Sequence, residues 1–298
     1  MTDPTARPRI PQTIDYVTLL GLGASWGSSF MFMKIAVGGM TPLMVVFGRL
    51  ALAALCLGLV VWAVPKIRST PGRFRHLLVI GIGNYALPFL LLSWALNHVA
   101  SVVPAIFMGS IPLMLAALTQ IFLREERFDR RGNMGLGVGF LGVLVLLAPD
   151  LMRHGFGASG LGLLACLGAA VSYAICGVYT RLYIPKSSLT TGAAAMGVGA
   201  LVALPFMILT ASGPLWRGDA ESMVALIAMG VIGTAVPFGV FYVMLPVVGV
   251  TFVSIAGYLV PLFGAFYGVV LMGETLHMRY IAALALILVG LALTRRSR

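Results

Sequence analysis

The chain has 298 residues, of which 60% are hydrophobic and only 10% charged, against about 45–50% and about 25% in a soluble domain. That composition excludes a water-soluble globule of this size, so lipid must cover much of the surface. The net charge of +11 does not point to nucleic acid, because the basic residues fall in short segments between apolar runs and form no single face.

Residues 1–16 form a polar, proline-bearing tail. The apolar run after it is followed by no small-residue cleavage site, so it is expected to remain as a helix. A spanning helix needs about 20 mostly apolar residues. With that window the first five spans fall near 17–37, 43–64, 77–97, 101–123 and 132–149, and the second five near 160–183, 189–212, 222–246, 250–272 and 279–294. The third and fourth spans are divided only by Asn97, His98 and Ala100.

Basic residues outside the spans set the direction. One side collects Arg7 and Arg9, then Lys66, Arg68, Arg73 and Arg75, then Arg124, Arg127, Arg130 and Arg131. Arg181, Lys186, Arg295, Arg296 and Arg298 bring that side to 15, against Arg153, Arg217 and Arg279 on the other. Lys and Arg are retained on the cytoplasmic face, so both termini are expected there.

The two halves match. Ala86-Leu-Pro88-Phe89 corresponds to Ala235-Val-Pro237-Phe238, Pro112 to Pro261 and Glu125 to Glu274, all at a spacing of 149. Ser25-Trp26 through Lys34 parallels Ser172-Tyr173 through Arg181 at 147. An odd number of spans per copy turns the second copy upside down, so the expected fold is all-α and membrane-integral, with ten transmembrane helices in two inverted five-helix repeats (17–149 and 160–294). Inverted repeats with broken helices suit alternating access around a central site.

Two five-helix units, each with an early aromatic and a terminal Lys or Arg, together with Gly273-Glu274 opening the last hairpin, resemble the EamA-type drug/metabolite transporters. The first copy departs from that motif, with Arg124-Glu125 in place of Gly-Glu. The resemblance covers roughly residues 17–294 and extends to bacterial amino-acid exporters, including those for aromatic amino acids. It implies a multi-pass protein of a bacterial inner membrane.

Pro88, Pro112, Pro237 and Pro261 lie inside spans 3, 4, 8 and 9 in matched pairs. Proline removes a backbone donor and kinks a helix, so these four are candidate hinges. Ser254, Tyr258, Pro261 and Ala265 share a helix face by spacing; their counterparts Ala105, Gly109, Pro112 and Ala116 are all small. Trp26, Asn84, Tyr85, Ser254, Tyr258 and Arg49 are the candidate cavity residues, at a centre between spans 1, 3, 4, 6, 8 and 9. Arg49 lies about 10 Å inside span 2 at 1.5 Å per residue from Pro42; it suits either helix-end carbonyls or a substrate carboxylate. Lys34, near the end of span 1, is expected to snorkel to the interface.

All nine acids fall at or outside span ends, so no buried carboxylate is available as a proton relay, although Glu125 and Glu274 keep ion coupling open. Cys56, Cys166 and Cys176 lie in apolar runs and read as packing residues. No Cys/His cluster has metal spacing, and neither metal nor cofactor is expected. Gly137-Val-Gly139-Phe-Leu-Gly142 matches the dinucleotide pattern but lacks a preceding strand; Gly135 and Gly139 read better as a small-residue packing surface. A membrane enzyme would need convergent catalytic groups, whereas His76, His98, His154 and His277 sit at separate span ends. A channel is a further alternative, against which the repeat favours alternating access. The expected function is export of amino acids or similar small metabolites, with a small solute and the bilayer as partners and no nucleic acid.

Overall fold

The computed structural model describes residues 9–122, 128–184, 188–211 and 213–294. Glu125 and several of the basic residues that set the direction lie outside these. The expected spans correspond to helices α1 (Thr13–Gly39), α2 (Pro42–Ala63), α3 (Phe74–Ala95), α4 (Val102–Phe122), α5 (Arg130–His154), α6 (Ala158–Tyr183), α7 (Leu189–Leu209), α8 (Ala220–Val248), α9 (Ala256–Val270) and α10 (Met278–Thr294). Of these, α2 to α8 are long and apolar enough to cross a bilayer. Helices α9 and α10 are shorter, at 15 and 17 residues. Helix α1 has the length, but Ser25, Ser28, Ser29 and Lys34 dilute its apolar run.

The packing repeats the sequence symmetry. Exchanging α1 to α5 for α6 to α10 leaves the main contacts unchanged. Helix α2 packs on its own counterpart α7, and α5 on α10. The α1–α9 contact is matched by α6–α4, and α1–α8 by α6–α3. The halves run in opposite directions. Lys34, near the end of α1, reaches the end of α3 at the Leu96 and Val99 carbonyls. Tyr179 and Tyr183, at the end of α6, sit against His76 at the start of α3. The α1 and α6 termini therefore lie at opposite ends of the bundle.

The α5–α10 seam shows why the glycines cluster there. A Cβ on Gly135 would lie 2.6 Å from the Gly290 carbonyl, and one on Gly290 2.4 Å from the Gly139 nitrogen. Only backbone against backbone fits. In the apparent nucleotide motif a Cβ on Gly142 would lie 2.7 Å from the Ala283 carbonyl of α10, while Gly137 meets nothing within 4 Å, so Gly139 and Gly142 serve as a helix-packing surface.

One expectation needs correction. The ninth span is not continuous: a short turn Val250–Val253 ends before Ser254 and Ile255, and α9 begins at Ala256. Ser254 is exposed, in the turn just before α9. Lys34 Nζ, near the end of α1, donates to the Leu96 and Val99 carbonyls (2.8 Å for Val99). Those are the orphan acceptors that every helix C-terminus leaves.

Candidate functional site

The prolines of α3 and α8 are not simple kinks. In each helix the turn just before the proline widens to π geometry, over Gly81–Ala86 before Pro88 and Val231–Ala235 before Pro237. The Leu87 N–H then donates to Ile82 O, five residues back, and Val236 N–H to Val231 O. The carbonyls left over are Gly83 and Ile232, and within a bilayer they need partners. Ser172 of α6 donates to Gly83 O at 2.6 Å, and Ser25 of α1 donates to Ile232 O. These serines are repeat counterparts. Such π-turns often mark functional positions.

Proline adds a second freed acceptor, the carbonyl four residues before it. For Pro237 this is Gly233 O, which accepts from Ser29 Oγ at 3.0 Å and from Arg49 Nη2 at 3.4 Å. Arg49 Nε also donates to Thr234 Oγ1 at 2.8 Å, and Nη2 to Ser29 Oγ at 3.3 Å. The guanidinium lies over the Phe89 ring, 3.8 Å from its centroid, and near Tyr173. Arg49 is only 4% exposed. Groups from α1, α2, α3, α6 and α8 thus converge on one charge.

Three apolar cores meet around this point. Tyr173 packs against two of them, and Trp26 against one of these and the third. Tyr85 is buried, and its ring meets Phe238 edge-on at 5.7 Å. Trp26 meets Phe238 at 5.7 Å and Phe241 at 5.9 Å. Trp26, Tyr173, Phe238, Phe241 and Tyr242 are each only partly buried.

Of the sequence-derived candidates, the structure brings together Trp26, Tyr85 and Arg49, with Asn84 half-buried in the π-turn beside Tyr85. Tyr258 is half-buried on α9 against the largest core. Ser254 is exposed in the turn before α9. Sequence reasoning did not single out Phe89, Phe238, Thr234 or Tyr173 as site residues, yet the repeat contains them. Tyr173 is the counterpart of Trp26, Thr234 of Tyr85 and Phe238 of Phe89. The hinge pairs also differ: Pro112 follows a helix break at Ser110, whereas Pro261 lies in uninterrupted α9.

At the end away from Lys66 and Arg75, a cavity of about 510 Å³ is lined by Lys34, Gly38, Arg217, Asp219 and Glu221 among others. Asp219 caps α8 by accepting from Ser222 N at 2.9 Å, which with the Ser222 side chain holds its carboxyl below the usual range. Nearby, Glu274 caps α4 from the other repeat. Its Oε1 accepts from Ser101 N at 2.7 Å, and Oε2 from Ser101 Oγ at 2.9 Å and Val102 N at 3.1 Å. Gly273 turns the chain with φ of +67°, a conformation that favours glycine.

Comparison with known proteins agrees with this architecture. A probable amino-acid metabolite efflux pump of Salmonella typhimurium is 26% identical, over 89% of each chain. An uncharacterized transporter of Archaeoglobus fulgidus is 23% identical, over 92% of this chain and 95% of its own. A solved crystal structure shares the fold with a TM-score of 0.64 at 20% identity, covering 94% of this chain and 96% of that one. The model of the EamA-like transporter family matches twice, over residues 13–148 and 160–296. The chain therefore belongs to the EamA-like transporter family, as a multi-pass membrane protein.

Proposed function

We propose that this transporter exports amino acids or similar small, partly apolar metabolites across a bacterial inner membrane by alternating access. The observation that carries the reading is the central cluster. Phe89 and Tyr173 flank one buried cation, Arg49, which bonds the π-broken turn of α8, and Tyr85, Phe238 and Trp26 extend the aromatic cluster from Phe89 across both repeats. Aromatic walls suit an apolar body, and a few fixed polar groups orient a ligand. Pseudo-symmetric halves around such a site can rock about it. The Salmonella relative named as an amino-acid metabolite efflux pump supports the solute class.

The test is transport by the purified protein in proteoliposomes, with a panel of amino acids, with and without an imposed proton gradient. Saturable movement of aromatic or branched amino acids is expected. If every amino acid stays put while an unrelated metabolite or drug moves, the proposed solute class is wrong.

A further inference from the structure

Arg49 is held by protein groups, but its charge is not balanced by them. Its bonds go to Thr234 Oγ1, Ser29 Oγ and the Gly233 carbonyl, all neutral, and Phe89 and Tyr173 beside it are neutral rings. Among the described residues no carboxylate pairs with it, and its Nη1 donates to none. A charge taken out of water is strongly disfavoured unless a counter-ion answers it, and inside a membrane such a residue marks a solute or ion pathway by default.

Carbonyl capping alone does not account for an arginine here. The same π-turn exists in α3, where Ser172 takes the freed Gly83 carbonyl. The corresponding stretch of α7 carries no cation: Met196, Gly197 and Val198 stand where α2 has Arg49. On the α8 side Ser25 and Ser29 already donate to the freed Ile232 and Gly233 carbonyls, so serines meet the structural need in both halves. The charge has no counterpart in the second half, and it sits beside aromatic side chains of both halves, Phe89 and Tyr173.

We infer that Arg49 is the anchor for the solute's carboxylate, with Nη1 as the donor left for it. This rests on the reading of the central cluster as the solute site. A charge-assisted bond from guanidinium to carboxylate is among the strongest hydrogen bonds available, and it answers the uncompensated charge only while solute is bound. One guanidinium suits a single carboxylate. The recognised class is therefore small monocarboxylates with an apolar or aromatic body, amino acids among them. Amines and neutral compounds of the same shape lie outside it.

The experiment is counterflow exchange in proteoliposomes of the full chain, preloaded with an aromatic amino acid. The external competitors are the free acid, its methyl ester and its decarboxylated amine. The acid should compete roughly tenfold or more better than the other two, the difference expected for one hydrogen bond to a charged group. Arg49→Gln should bring the three competitors together, and Arg49→Lys should restore part of the preference. If these variants do not fold, the competitor ranking on the unaltered protein decides alone. Equal competition by acid, ester and amine overturns the carboxylate anchor while leaving the transport reading intact. Absence of exchange with any solute overturns both.

Discussion

Glu274 has three bonds to the first residues of α4, two of them to backbone N–H groups that the helix itself cannot satisfy. Its position across the repeat boundary makes it a clasp between the α9–α10 turn and α4. Glu274→Ala leaves those donors unpaired, a cost of about 1–3 kcal/mol, and Glu274→Gln retains one acceptor and should cost less. Thermal midpoints of the purified variants should fall in that order, with Glu274→Gln keeping near-normal transport per folded molecule and no obligatory proton exchange. Transport that strictly requires a pH gradient, and loses that requirement in Glu274→Gln, would assign the carboxyl a coupling role instead. Sequence could offer Glu274 as half of a Gly-Glu motif and Arg49 as a charge too deep to be incidental. It could not offer their partners, because Ser101 is 173 residues from Glu274 and Thr234 is 185 from Arg49. The 147 and 149 spacings do foretell the serine pair, Ser25 with Ser172, that covers the freed carbonyls. The break before α9 was not legible for a different reason, since spacing arguments assume an unbroken helix and the chain turns at residues 254 and 255.

Helices α3 and α8 have the same construction, a π-turn, then a proline, with a serine from the other repeat on the freed carbonyl. Proline was readable as a kink; the wide turn before it was not, because a π-turn has no distinct hydrophobic period. The construction makes the four prolines unequal. Pro88→Ala and Pro237→Ala restore an N–H that competes for the Asn84 and Gly233 carbonyls, drawing the wide turn toward regular α geometry. Both variants should insert and fold, since kinks in membrane helices are locally compensated, and both should slow transport. Pro261→Ala lies in continuous α9, with no π-turn before it, and should slow transport less. Turnover per folded molecule and thermal midpoint, measured on the same preparations, separate hinge from packing. Normal turnover in Pro88→Ala and Pro237→Ala, with only a lowered midpoint, would make these prolines packing residues.

At the scale of the whole molecule, the two halves meet at one end through backbone as well as side chains. Met40 and Trp216 form an antiparallel bridge, Thr41 N–H donates to the Leu215 carbonyl at 3.0 Å, and Arg217 N–H to the Gly39 carbonyl at 2.9 Å. This joins the α1–α2 corner of the first repeat to the α7–α8 connection of the second, beside the charged cavity. Lys66, Arg68, Arg73 and Arg75 lie at the other end, with the remaining basic segments by sequence, so the clasped end is expected to face outward. Alternating access requires this end to part during each cycle, because a solute released outward must pass between the halves. A Met40→Cys, Trp216→Cys pair in a background lacking Cys56, Cys166 and Cys176 tests both statements. A membrane-impermeant maleimide added outside intact cells should label the reduced pair, whereas Lys66→Cys should be protected until the membrane is opened. Oxidising the Met40→Cys, Trp216→Cys pair to a disulfide should then stop transport, and reduction should restore it. Labelling of Lys66→Cys from outside would invert the orientation. Full turnover with the disulfide closed would show that the clasp stays shut throughout the cycle, and the solute path would have to leave by another opening between the repeats.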